Sequence, residues 1–385
     1  MTDNTLPSEY QSYIALSRYA RWLETENRRE TFKESVRRYF NYFETKFPFL
    51  LNEVDWKEAE QEYLKLGIVG SMRALMTAGP ALERDNVAGY NCAYTAVEGT
   101  GEQIVFEHEK LDEPVVITLS TPIDFDETMY VLMCGTGMGF SVERQYINNL
   151  PKVGKKLNRR IYAPNNKNYP SVDKQEISLI DKKGNIIHVH DSKYGWASAL
   201  RILIVELYNG NFDIKWDLSQ LREAGAKLKT FGGRASGPAP LQNLFTFAVE
   251  LFKNANGRKL NSIECHDLMC KIAEIVVVGG VRRSALISLS NLSDERMRQA
   301  KFGSWWESQP QRALANNSVC YTEKPDILSF MKEWEALIAS GSGERGIFYR
   351  TAAENLVPER RKRDSYKNYG CNPCSEIVLR SKQFC

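Results

Sequence analysis

No stretch of this chain approaches the ~18 consecutive apolar residues that a membrane-spanning helix needs. Its first residues, MTDNTLPSEY, are polar and acidic, without the basic-then-apolar order of a secretory signal. A cytoplasmic protein with no membrane partner is expected. An excess of one charge is also missing: the formal net charge is +3, too small to argue for nucleic acid or an anionic lipid surface. The one dense basic run, Arg360, Arg361, Lys362 and Arg363, reads as a solvated loop or a phosphate contact before it reads as an RNA site. No internal repeat and no low-complexity linker interrupts the chain, and no glycine occurs before Gly67.

What is present is an ordinary globular composition, 43% hydrophobic and 26% charged. It allows one large domain or two. Eight cysteines in a chain read as cytoplasmic imply thiols, metal ligands or catalytic groups rather than structural disulfides. The first 90 residues read as mostly helical, with Phe32, Val36, Tyr39, Phe40 and Phe43 at helical spacing. Two further apolar stripes predict helices over 194–208 (Trp196, Leu200, Leu203, Ile204, Leu207) and 325–339 (Ile327, Phe330, Met331, Trp334, Leu337). From Asn91 onward short apolar runs stand between Gly-rich turns. In EIVVVGGVRRSALISLS two of them, Ile275–Val278 and Ala285–Leu289, predict strands buried on both faces. Helices alternating with such strands argue for an α/β sheet or barrel. The stretch 162–174, rich in Asn and Pro, is a loop candidate.

Two glycine clusters stand out. CGTGMGF (134–140) lacks the spacing of a dinucleotide fingerprint and follows a helical-looking segment, so a tight packing turn is expected. KTFGGRASGPAP (229–240) places glycines, a serine and basic groups in one loop. Its backbone N–H groups can cradle a phosphate, or it can be a plain connector. Among the cysteines, Cys371-Asn-Pro-Cys374 is half of a zinc site or a dithiol pair. The only other cluster, Cys265-His266 with Cys270, lacks finger spacing, so no metal site is expected.

Pro373 biases Asn372 toward an extended backbone, and β-like residues follow. In an extended segment Asn372, Cys374 and Glu376 share one face. A carboxamide, a thiol and a carboxylate can then surround one small substrate, the carboxylate as general base toward a hydroxyl. The alternative is a turn whose polar residues face water.

NPCSEIVL resembles the active-site loop of ribonucleotide reductases, written in that family as Asn-Pro-Cys-x-Glu-x-x-Leu. Further segments are similar to the family and follow its chain order: GYNCAYT (89–95), MCGTGMGFSV (133–142), DSKYGWASAL (191–200), LKTFGGRASGP (228–238), VVVGGVRRSALI (276–287) and NNSVCY (316–321). The opening RYARWLETENRRETFKESVRR is similar to the monomeric, adenosylcobalamin-dependent class II enzymes and shows no sign of an ATP-cone domain. The resemblance implies an α/β fold. An N-terminal helical region (1–90) would precede the first half of a ten-stranded α/β barrel with the active-site finger loop (91–385).

It also implies a chemistry. Cys374 matches the cysteine that becomes a thiyl radical, with adenosylcobalamin as the radical source. Glu376 matches the carboxylate that takes the 3′-hydroxyl proton, and Asn372 the amide that positions the ribose hydroxyls. Cys92 and Cys385 match the pair that reduces the 2′ position and ends as a redox disulfide, to be reopened by a thioredoxin-like or other dithiol reductant. Asp191 and the loop carrying Lys227, Lys229, Arg234 and Ser236 resemble the region that binds a deoxynucleoside triphosphate effector. Read without the resemblance, Asp191 is a helix N-cap. Cys134, Cys265, Cys270, Cys320 and Cys371 are expected as buried structural thiols.

Likeness to the monomeric class implies ribonucleoside triphosphates as substrates. Members of the family continue beyond the position of Cys385. The resemblance therefore implies the N-terminal part of a split, intein-interrupted or truncated enzyme that needs a complementary C-terminal chain. Three alternatives stand beside it: a class I large-subunit fragment served by a separate radical-generating subunit, a non-catalytic fragment, and a CxxC dithiol oxidoreductase in which Cys371 would be essential.

Overall fold

A computed structural model describes residues 6–50, 55–99, 123–154, 176–181, 185–226, 234–276, 285–356, 358 and 368–385, together with the backbone of 102–106 and 115–119. The stretches 162–174 and 360–363, Lys227 and Lys229 lie outside the described residues. Two compact units are present, one comprising Met1–Asn91 and the other beginning at Cys92.

The first unit is built on α1 (Phe32–Lys46), whose start is set by a capping box: Thr31 accepts from the Glu34 backbone and Glu34 reaches back to the Thr31 N–H. Phe32, Val36 and Phe40 fall on its buried face and pack with Tyr63 of α2 (Trp56–Leu64) and with Leu75. This is the stripe the spacing predicts. Opposite charges secure the ends: Arg38 pairs with Glu30 at 2.8 Å and donates to the carbonyls of Leu75 and Ala78.

The second unit centres on a six-stranded sheet. Its strands are β1 (Cys92–Ala96), β2 (Gly137–Ser141), β3 (Leu286–Asn291), β4 (Ala315–Tyr321), β5 (Gly346–Tyr349) and β8 (Gln383–Phe384), in the spatial order β5-β4-β3-β2-β1-β8. The first five are parallel, and β8 lies antiparallel on β1. The helices α3 (Asp124–Met133), α4 (Lys193–Tyr208), α5 (Ala239–Asn254) and α6 (Ser262–Val276) pack on one another. The inner strands of this parallel run are buried along nearly their whole length, as strands covered on both faces are. The expected α/β class is present; the sheet holds five parallel strands, and a ten-stranded barrel is not seen among the described residues.

Three local expectations need correction. Of the run Ile275–Val278, Ile275 and Val276 belong to the end of α6, not to a strand, and Val277 and Val278 lie outside the described residues; the β-branched pair is outweighed by the buried face that α6 presents through Leu268, Met269 and Ile272. CGTGMGF is not one turn: only Gly135 takes the left-handed conformation (φ 80°), and Gly137 and Gly139 lie within β2. Finally, α7 (Ile327–Ser340) forms where the stripe predicts a helix, but its polarity is inverted. Its buried residue is Glu333, which pairs with Arg345 at 2.6 Å, while Leu328, Met331, Trp334 and Ile338 are exposed.

Candidate active site

Between β5 and β8 the chain forms a hairpin of two short strands, β6 (Gly370–Cys371) and β7 (Val378–Leu379), paired Gly370↔Leu379 and Cys371↔Val378. Its apolar residues Cys371 and Leu379 share a core with Tyr94, Ile287, Leu289 and Phe348 from the sheet. The hairpin therefore packs against the sheet. Glycine makes this possible. A Cβ at Gly139 would stand 1.9 Å from the Cys371 carbonyl oxygen, and one at Gly370 would enter the Tyr94 ring at 2.0 Å. A Cβ at Gly137 would press on Pro373 at 3.0 Å. The glycines of MCGTGMGF are thus the seat of the NPCSE loop, which local spacing could not show.

The loop itself is a turn and not the extended segment that Pro373 led us to expect. The Asn372 N–H donates to the Ile377 carbonyl (3.1 Å), the Ile377 N–H to Asn372 Oδ1 (3.0 Å), and the Ser375 N–H to the Asn372 carbonyl (2.9 Å). Ser375 sits at φ 64°, in the left-handed region. Closing these bonds outweighs the extended preference. Alternation of faces is lost with it: Asn372 is buried, whereas Cys374 and Glu376 are exposed at the tip. Asn372 spends Oδ1 inside the turn, and its Nδ2 is buried without a hydrogen-bond partner among the described residues. A buried amide donor left open is costly, and it offers itself to an incoming hydroxyl or carbonyl.

After β7 the chain turns back. Lys382 adopts φ 63° and donates its N–H to the Tyr94 carbonyl at 2.8 Å. The Ala96 N–H donates to Ser381 Oγ at 3.0 Å. β8 then runs antiparallel to β1 with Phe384 opposite Ala93, and the Cys385 N–H donates to the Cys92 carbonyl at 2.9 Å. Cys385 thus faces Cys92 across the strand pair. Directly opposed residues have Cβ atoms about 4.5–5.5 Å apart, close to what a disulfide needs. Burial and the neighbouring Cys92 thiol push the Cys385 thiol up to about 11. Ser381 and Lys382 carry no motif that marks them in the sequence.

Cys371 differs. It is fully buried, and burial raises its thiol to about 11, against a weak contact with Ser375 Oγ at 3.6 Å. A dithiol oxidoreductase needs an accessible, acidified thiol, so the CxxC reading finds no support here. Cys134, Cys265, Cys270 and Cys320 are buried as expected.

Of the remaining site residues, Asp191, Arg234 and Ser236 lie elsewhere in this unit, and Lys227 and Lys229 lie outside the described residues. Asp191 pairs with Arg222 Nε at 2.7 Å, and the N-cap of α4 is its neighbour Ser192, which accepts from Gly195. Arg234 donates to the Gly225 carbonyl at 2.8 Å, beside a pair of bonds in which Gly225 N–H meets the Ala235 carbonyl and Ala235 N–H the Ala226 carbonyl. Ser236 Oγ is 3.5 Å from the Gly237 carbonyl.

Comparison with known proteins falls on the same elements. The insertion domain of B12-dependent ribonucleotide reductase matches residues 160–251; Asp191, Lys227, Lys229, Arg234 and Ser236 lie within that span. The adenosylcobalamin-dependent ribonucleoside-triphosphate reductase of Lactobacillus acidophilus is 30% identical over 95% of this chain and 52% of its own length. That of Levilactobacillus brevis is 27% identical with the same coverage. A solved B12-dependent (class II) ribonucleotide reductase superposes with a TM-score of 0.68 at 25% identity, covering 96% of this chain and 53% of that one. The chain spans about half the length of the relatives it matches. Residues 160–251 match the insertion domain of B12-dependent ribonucleotide reductases, and the chain as a whole is similar in sequence and fold to about half of a class II ribonucleotide reductase.

Proposed function

We propose that this chain supplies the dithiol and the radical-bearing hairpin of an adenosylcobalamin-dependent ribonucleoside-triphosphate reductase. The observation that carries the reading is the β1–β8 register, which sets Cys385 against Cys92 on the sheet that seats the NPCSE hairpin. The residues present fit the cofactor in one respect: Cys374, the thiol that must meet a radical source, is exposed at the hairpin tip. When bound, adenosylcobalamin supplies a homolysable cobalt–carbon bond.

The chain's own groups do the rest. Cys374, as a thiyl, takes the hydrogen atom from C3′ of the ribonucleotide. Glu376 accepts the 3′-hydroxyl proton, and Asn372 Nδ2, open in this structure, donates to a ribose oxygen. The 2′-hydroxyl leaves as water. Cys92 and Cys385 together give two electrons and two protons and become a disulfide, and Cys374 returns the hydrogen atom to C3′. Ribonucleotide and dithiol become deoxyribonucleotide, disulfide and water. The raised Cys385 pKa fits this use, since a protonated thiol is the form that donates hydrogen. A thioredoxin-like or small dithiol then reopens the disulfide.

The same reading assigns a deoxynucleoside triphosphate effector to the insertion domain. It also calls for a complementary C-terminal reductase chain or segment. The exposed apolar side of α7 and the edge position of β5 support that partner.

The test is deoxyribonucleoside triphosphate formation from ribonucleoside triphosphates with adenosylcobalamin and dithiothreitol, using this chain with the complementary half. Product is expected, lost at least about a thousandfold in Cys374→Ala and retained in Cys371→Ala. Product that survives Cys374→Ala would overturn the reading.

A further inference from the structure

The geometry points to Arg350 and Glu143 as the positioning pair of the catalytic hairpin. This rests on the reading of that hairpin given above. Glu143 stands two residues beyond β2 and Arg350 directly follows β5, so both lie where parallel strands end. They meet 207 positions apart in sequence, Arg350 Nη1 to Glu143 Oε1 at 3.1 Å and Nη2 to Oε2 at 2.6 Å. Their side chains are 3% and 0% exposed. The remaining donor of the fork, Nε, gives its hydrogen to the Tyr369 carbonyl at 2.6 Å. Tyr369 is the residue before β6, the root of the hairpin.

Glu143 is held in turn. Ser141 Oγ donates to Oε2 at 2.8 Å, and Gln145 Nε2 to Oε1 at 2.9 Å. Ser141 is the last residue of β2, the strand on which Gly139 receives the Cys371 carbonyl. Two successive anchors therefore fix the hairpin root: a guanidinium on the Tyr369 oxygen and a glycine seat under the Cys371 oxygen. Their effect passes through the short β6–β7 ladder to the turn that carries Asn372, Cys374 and Glu376. Through the return strand it reaches Cys385 opposite Cys92.

Buried ion pairs are weak sources of stability, because desolvation offsets their attraction. One that also grips a main-chain carbonyl restricts conformation. Only an arginine presents two donors to a carboxylate and a third, fixed in the same plane, to another acceptor. A lysine would preserve the charge and lose the tether. Another buried pair of this unit, Arg345 with Glu333, bonds to Ser290 and the Asn291 carbonyl at the end of β3, has no bond to the hairpin among the described residues, and serves as the control.

The test uses the full chain and two readouts: peptide-level hydrogen exchange over 369–379, and the Cys92–Cys385 dithiol–disulfide equilibrium against glutathione. Arg350→Lys is expected to speed exchange and weaken the disulfide by about tenfold each. Arg345→Lys, compared at equal thermal destabilisation, should change either by less than about twofold. Replacing both partners, Glu143→Met with Arg350→Met, removes the tether while keeping the volume apolar, a change that folds tolerate. If that double variant folds with a loosened hairpin and a weakened disulfide, the inference holds. Native exchange and a native disulfide in it, or equal shifts in Arg345→Lys, would overturn it. A parent chain that forms no Cys92–Cys385 disulfide at all would count against the dithiol reading, and exchange alone would then decide the positioning role.

Discussion

Eight thiols share one chain, and their surroundings give them different chemistry. Cys374 is exposed on a turn, Cys371 is sealed beneath it, and Cys92 and Cys385 face each other across a strand pair. The Cys385 thiol is raised from 9.0 to about 11 by burial and by Cys92. Between those two values the folded state keeps a proton that the unfolded chain releases. The stabilising contribution of this site is thus complete below pH 9 and fades as pH rises through 11. Alkylation of Cys385, followed by mass spectrometry against pH, should show its midpoint near 11, and Cys92→Ser should lower it. A midpoint at the ordinary thiol value in the parent chain would mean that the two thiols are not in contact.

At the scale of elements, the hairpin and the sheet are matched surfaces. The prolyl residue of NPCSE and the glycines of MCGTGMGF serve one contact, with Pro373 against Gly137 and the Cys371 carbonyl against Gly139. Gly139→Ala would set a methyl group 1.9 Å from a backbone oxygen, which no rotamer can relieve. The hairpin must move. Overpacking of this kind costs about 1–3 kcal/mol, and here the strain falls on the loop, since the six-stranded ladder is the stiffer partner. We expect a modest fall in thermal midpoint, by a few degrees, with a much larger loss of Cys92–Cys385 disulfide, read by thiol titration of the oxidised chain. Loss of global stability without loss of the disulfide would mean that β2 yields instead.

At the scale of the molecule, α7 is the anomaly. A helix that buries Glu333 between arginines and shows Leu328, Met331, Trp334 and Ile338 to solvent is inverted relative to ordinary surface helices. Contiguous apolar surface of this kind associates. The chain by itself should self-associate with rising concentration in sedimentation velocity, and Leu328→Lys with Met331→Lys should shift it toward the monomer. A chain that stays monomeric at high concentration would argue that this face is inert.

Much of this was legible in the residues alone. α1 and α4 were written in 3.6-residue periodicity, a signal that needs no partner. The loop residues Asn372, Cys374 and Glu376 were legible as a motif, and Cys92 with Cys385 as part of the resemblance. Three things were decided only by the tertiary structure. The NPCSE loop takes its seat because Gly137 and Gly139 of β2 leave room for Pro373 and the Cys371 carbonyl. α7 faces outward because Arg298, 35 positions before Glu333, and Arg345, 12 positions after it, both claim that glutamate. Arg350 meets Glu143 across 207 positions because parallel strands bring their ends together. A helix face or a cap is fixed by neighbours within a turn or two of chain. A register, a buried charge pair or the seat of a loop depends on segments that become neighbours only when the chain folds.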